Sequence, residues 1–173
     1  MEERNLRRVI GNGNTAASAV AACTVMLKNG QTNKRITVAA RHPGKNRQLP
    51  DIIGEGDAIA YEEKTIDASA DTLRDADIVI STIPGHAADA VASHRERRLL
   101  RPRGILLDVV YDPRPSALIR AWRAKGGLAI GGEEMLLWQA ILQVILMTGA
   151  DTADSSLMDV LEPAMRHALE EAL

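Results

Sequence analysis

The sequence predicts an α/β fold built on a doubly wound parallel sheet. Short β-branched runs alternate with Ala- and Leu-rich helical stretches along the chain, the pattern of repeated β-α-β units. Aromatic residues are scarce, with no Phe, two Trp and two Tyr. The core must therefore come from Ala, Val, Ile and Leu, the composition of parallel strands buried on both faces. A glycine-rich turn also joins the first strand directly to the first helix. With 173 residues, 46% hydrophobic and 25% charged, the chain is one domain's worth and long enough for a real core.

Each element has a local reason. Leu6 to Ile10 is a short apolar run broken by two arginines and closed by Gly11, which predicts a strand and a turn. Thr15 to Lys28 lacks Pro and Gly and places Ala16, Val20, Cys23 and Leu27 at helical spacing. Asn29-Gly30 caps it. Arg35 to Ala40 is β-branched and reads as a second strand. His42 to Gly56 carries Pro, Gly and charge, a loop with room for a short helix. Ala58 to Tyr61 reads as a brief strand, Ala68 to Arg74 as helix, and Asp77 to Ser81 as a buried strand. Pro84-Gly85 leads into a helix near His86 to His94, and Gly104 to Val110 is another strand. Ser116 to Lys125 is helical, Leu128 to Ile130 a short strand, and helices over Glu133 to Met147 and Ser155 to Ala172 finish the chain. Pro163 is expected to kink or split the last one. The whole of 1–173 thus reads as one dinucleotide-binding domain, with 150–173 a C-terminal helical extension.

Composition excludes several functions. A net charge of −2 leaves no basic excess for a duplex. The local cluster Arg95-Glu96-Arg97-Arg98 with Arg101 and Arg103 has interleaved acid and no aromatics, so it reads as a surface face. One Cys rules out an internal disulfide framework or a multi-thiolate zinc site and fits a reducing, cytoplasmic setting. The apolar stretches are too short for a bilayer, and the charged N-terminus has no leader-like apolar region. His86 and Asp89 with His94 lack a third convergent ligand, so no metal is expected.

The motif richest in chemistry is Gly11-Asn12-Gly13-Asn14-Thr15-Ala16, a G-x-G-x-x-A between a strand and a helix, the context of a dinucleotide fingerprint. Gly11 permits the tight turn, Gly13 lets the backbone approach a pyrophosphate, and Ala16 lets the helix pack against the strand. The helix start then offers unpaired N–H groups and a positive dipole end. At the end of the second strand, where an NAD enzyme carries Asp or Glu, the chain has Ala40-Arg41-His42 and then Lys45. An Arg fork binds a 2′-phosphate that a carboxylate would repel, so the expected cofactor is NADP. The plain alternative is a strand-turn-helix with solvated surface charge.

These residues resemble the C-terminal, NADP-binding domain of the shikimate dehydrogenase family. Asp77 to Pro84 is similar to the strand and loop beneath the nicotinamide ribose, which implies roles for Thr82, Ile83 and Pro84. Asp108-Val109-Val110-Tyr111-Asp112-Pro113 is similar to the family's Asp-Val-x-Tyr-x-Pro segment. Gly132-x-x-Met135-Leu136-Leu137-x-Gln139 is similar to its Gly-x-x-Met-Leu-x-x-Gln motif. The resemblance implies a Rossmann-type fold, NADPH-dependent reduction of 3-dehydroshikimate in aromatic amino-acid biosynthesis, and a nicotinamide pocket lined by Val109, Gly132 and Met135. It assigns Tyr111 and Gln139 to substrate oxygens across an interdomain cleft. Read without it, Tyr111 is a strand-end tyrosine, Gln139 a polar helix residue and Met135 ordinary core.

The chain also departs from the family. Ala40 and His42 stand where an Asn and a Thr are common, Asn14 replaces a glycine, and Glu133-Glu134 replaces a Leu-Gly-like pair. The family's proton-transferring Lys-Asp pair lies on an N-terminal substrate domain, and only five residues precede Leu6 here. That domain is expected to be absent from this chain, and no catalytic residue is assigned. A cofactor-sensing or sequestering module without catalysis is the alternative. Self-association, or packing of the last helix onto the sheet, is expected from its apolar stripe at Leu157, Leu161, Met165 and Leu169.

Overall fold

The computed structural model describes residues 5–27, 33–54, 59–69, 73–84, 102–150 and 155–173. Its strands are β1 (Asn5–Ile10), β2 (Lys34–Ala40), β3 (Ile59–Thr65), β4 (Ile78–Ser81), β5 (Ile105–Asp108) and β6 (Leu128–Ile130). They form one sheet in the order β3-β2-β1-β4-β5-β6, every neighbouring pair parallel. The helices are α1 (Asn14–Leu27), α2 (Leu49–Ile53), α3 (Ala117–Ala124), α4 (Gly132–Thr148) and α5 (Ser155–Ala172). This is a Rossmann-like order, and it fixes where a ligand can enter. From β1 the chain proceeds to one side of the sheet, and from β4 to the other. The carboxyl ends of these two adjacent strands therefore flank a crevice.

Alternation along the strands divides the core in two. Val9, Ile36, Val38 and Ile80 pack with Ala16, Val20, Cys23 and Leu27 of α1 and with Leu49 and Ile53 of α2. Ile10, Val79 and Leu106 face the other way, onto Leu118, Ile119 and Trp122 of α3. Cys23 is fully buried, and loss of water there pushes its thiol up to about 11. It is a core side chain.

Several expectations needed correction. β3 runs to Thr65 rather than ending at Tyr61, because each of its residues from Ile59 to Thr65 finds a partner on β2. β5 stops at Asp108, two residues early, where the carboxylate turns to local partners. Of the helix expected over 68–74, a 3₁₀ turn at Asp67–Ser69 and helical backbone at Leu73 and Arg74 are described, while 70–72 lie outside the described residues. The strand expected over Leu6 to Ile10 is present as β1, and its Arg7 and Arg8 are both buried. Arg7 pairs with Asp77, and Arg8 donates to the Thr37 hydroxyl, which in turn donates to Glu62. α5 is a single helix through Pro163, an exposed position. The lost hydrogen bond is tolerated because apolar residues before and after it anchor on α4. The α5 stripe lies neither open nor on the sheet: Leu157, Leu161, Met165 and Leu169 pack on Leu137, Ile141 and Ile145 of α4. The helix near 86–94 and the residues His86, Asp89, His94, Arg95 to Arg98 and Arg101 lie outside the described residues. Among the described residues no helix is long and apolar enough to cross a membrane.

Candidate functional site

The crevice begins at the turn after β1. Gly11 has φ +112°, a conformation that side chains rarely adopt, and a Cβ there would collide with the Thr82 hydroxyl. Its N–H donates to Ala39 O (2.8 Å), so the turn is tied to the end of β2. Gly13 differs: a Cβ there would meet nothing within 4 Å. Among the described residues nothing requires glycine at this position, and the space beside it is open. The first turn of α1 closes with Ala17 N–H donating to Gly13 O (3.1 Å). The N–H groups of Asn14, Thr15 and Ala16 therefore precede the helical ladder at the positive end of the dipole. Asn14 and Thr15 are exposed, whereas Ala16 is fully buried against the sheet. An anion such as a pyrophosphate fits this cradle.

The end of β2 lies beside it. Arg41, His42 and Lys45 are all exposed on the loop that follows Ala40. Among the described residues, Arg41 and Lys45 have no carboxylate within ion-pair distance. Asn12 links the two loops by donating its amide to His42 O (2.8 Å). The side chain of Asn12, a member of the expected phosphate turn, is thus committed to the chain itself. The opposite wall is Thr82-Ile83-Pro84 after β4. Both the N–H and the hydroxyl of Thr82 donate to Ile10 O, at 2.8 and 2.9 Å, so that hydroxyl seals β4 against β1. Ile83 packs partly into the core and Pro84 is exposed.

The third wall is the end of β5 and the start of α4. Gly132 N–H donates to Val110 O (3.2 Å), and a Cβ on Gly132 would run into Val109 O. Gly132 is needed for this close approach. Val109 and Met135 are half-buried around it, while Tyr111 and Gln139 are exposed. Asp108, which the sequence placed in a motif without a role, is fully buried at the end of β5. It accepts from the Ser116 hydroxyl (2.6 Å), and Ser116 caps α3 by accepting from Ile119 N–H (3.1 Å). Burial pushes the Asp108 carboxyl above its ordinary value, with the Ser116 hydroxyl opposing. Glu134 receives the Arg166 guanidinium on both oxygens, which fastens α5 to the first turn of α4. That ion pair lowers the Glu134 carboxyl and raises Arg166. Glu133 stands half-buried in the same turn, and among the described residues one of its oxygens has no hydrogen-bond partner. Among the described residues no three His, Cys, Asp or Glu side chains converge on a metal position.

No family model matches the chain. A shikimate dehydrogenase (NADP(+)) of Rubrobacter xylanophilus is 34% identical over 146 residues, 83% of this chain and 49% of that one. A shikimate 5-dehydrogenase of Mycobacterium fortuitum superposes with a TM-score of 0.71 at 36% identity, over 92% of this chain and 56% of that one. The chain is a relative of the shikimate dehydrogenases. The Mycobacterium tuberculosis shikimate dehydrogenase agrees, with a TM-score of 0.71 and 31% identity over 99% of this chain and 58% of that one. The chain spans about half the length of the shikimate dehydrogenases it matches.

Proposed function

We propose that the chain is the NADP(H)-binding part of a shikimate dehydrogenase-like oxidoreductase, which presents the cofactor to a 3-dehydroshikimate-like carbonyl held by a substrate domain outside this chain. The observation that carries the reading is the open cradle at Gly13 beside a loop whose Arg41 and Lys45 are not ion-paired among the described residues. The kinship with NADP-dependent shikimate dehydrogenases supports it. Gly11 to Ala16 would hold the pyrophosphate, and Arg41, with His42 and Lys45, the 2′-phosphate. Val109, Gly132 and Met135, with Thr82, Ile83 and Pro84, would border the nicotinamide half. When bound, NADPH supplies the hydride. Tyr111 and Gln139, exposed beside that pocket, are proposed to reach the substrate. They favour an enzyme part over a sensing module, because a sensor needs no groups facing a substrate.

Calorimetric titration with NADP+ and NAD+ tests the cofactor assignment. A charge-assisted hydrogen-bond pair is worth about 1.5–3 kcal/mol, so Arg41→Ala is expected to weaken NADP+ binding about 10- to 100-fold. NAD+ binding should change little. Equal affinities of the unaltered chain for the two cofactors would overturn it.

A further inference from the structure

The loop that carries Arg41 and Lys45 is held from outside rather than by itself. Its own bond, Lys45 N–H to His42 O, is long at 3.4 Å. The short bonds come from two other elements. Asn12, in the turn after β1, donates to His42 O at 2.8 Å, and Glu63, on β3, accepts the Gly44 N–H at 2.6 Å. Gly44 has φ +74°, so the loop makes a left-handed turn at the residue that Glu63 grips.

Glu63 is in turn held in place. Its other oxygen accepts from the Tyr61 hydroxyl (2.8 Å). Tyr61 lies two residues back on the same face of β3, partly buried against the α1 core. Burial and the neighbouring Glu63 push the Tyr61 phenol far up, so it remains a donor. Glu62, facing the other side of the sheet, is satisfied by cations, with Lys64 and Arg35 both in reach. Among the described residues Glu63 has no such cation. It holds the loop through a backbone N–H, which leaves the charges of Arg41 and Lys45 available to an incoming anion.

We propose that Asn12 and Glu63 are positioning residues that hold the loop in its phosphate-accepting shape and thereby set the preference for a 2′-phosphorylated dinucleotide. The inference rests on the cofactor reading above and adds the groups that tune it. Two effects of Glu63 oppose each other. Its negative charge would repel a bound phosphate, and salt screens that repulsion beyond about 8 Å. Its grip on Gly44 determines the fraction of molecules whose loop is ready, and apparent affinity falls in proportion to that fraction. The second effect dominates because the bond is short and the loop has little internal support.

The test is calorimetric titration of the intact chain with NADP+ and NAD+. Glu63→Ala is expected to weaken NADP+ binding about 5- to 20-fold and to leave NAD+ within about twofold. Glu63→Gln, which keeps an oxygen for the Gly44 N–H, should retain NADP+ affinity within about threefold, and it serves as the folded control. In an Arg41→Ala background, Glu63→Ala should cost nothing more, because the two act as one unit. Tighter or unchanged NADP+ binding in Glu63→Ala, or equal losses for both cofactors, would overturn the inference alone. A wild-type chain that binds neither cofactor would overturn the reading beneath it as well.

Discussion

A Cβ on Gly13 would meet no atom of the described residues within 4 Å, which separates the fold's requirements from the ligand's. Gly13→Val should therefore leave the melting temperature almost unchanged, with a capping cost of no more than about 1 kcal/mol. It should abolish dinucleotide binding, since the side chain occupies the space that phosphate oxygens need. Titration of the folded variant checks this, and retained affinity would make the turn purely structural. Gly11→Ala should behave oppositely and destabilise, because φ +112° and the Thr82 hydroxyl both exclude a Cβ. Asp108 gives a prediction in pH. Its folded pKa is raised above the ordinary 3.8, so the folded state binds the proton more tightly than the unfolded one. That contribution is fully present below the unfolded value and is lost as pH rises through the folded one. The melting temperature of Asp108→Asn relative to wild type should accordingly rise from pH 4 towards neutrality. A difference that is flat in pH would mean the carboxylate carries no burial cost.

Among the elements, α3 shows how a short helix is fixed. Eight residues are too few to be stable in isolation. Ser116 caps its start, and Leu118, Ile119 and Trp122 are buried against β4 and β5. Trp122 is wholly buried, yet among the described residues its indole N–H has no hydrogen-bond partner. Trp122→Ala should cost about 3–5 kcal/mol. Trp122→Phe, which fills most of the volume and loses no hydrogen bond, should cost less than about 2 kcal/mol. Urea denaturation of the two variants measures the difference. A loss in Trp122→Phe equal to that in Trp122→Ala would show that the N–H is bonded in solution. On α4 the inner face holds α5, while Trp138, Leu142, Leu146 and Met147 remain exposed.

For the molecule as a whole, the order of strands puts the glycine turn, the basic loop and the β5–α4 junction at one edge of the sheet. These are the parts proposed to hold the cofactor. Acid–base catalysis also needs a group within hydrogen-bond reach of the reacting oxygen, and a substrate touched from one side is poorly oriented. The chain alone is therefore expected to bind NADPH without oxidising it in the presence of 3-dehydroshikimate. Absorbance of NADPH followed over hours with purified chain checks this, and robust turnover would mean that an acid–base group lies within these residues.

The sequence alone determined the strand and helix alternation, the parallel sheet and the glycine turn, because backbone propensity and hydrophobic period are local. It also marked Arg41 and Lys45, since charge at a strand end is visible without coordinates. It placed Arg7 and Arg8 in a strand but not what admits them to the core, because those groups, Asp77, Thr37 and Glu62, lie 25 or more residues away. Separation in sequence likewise hid the grip of Glu63 on Gly44, 19 residues away, the link between Asn12 and His42, 30 residues away, and the seat of the α5 stripe on α4. Only tertiary structure brings such partners together, and hydrogen bonds between side chains on separate strands leave no period in the sequence.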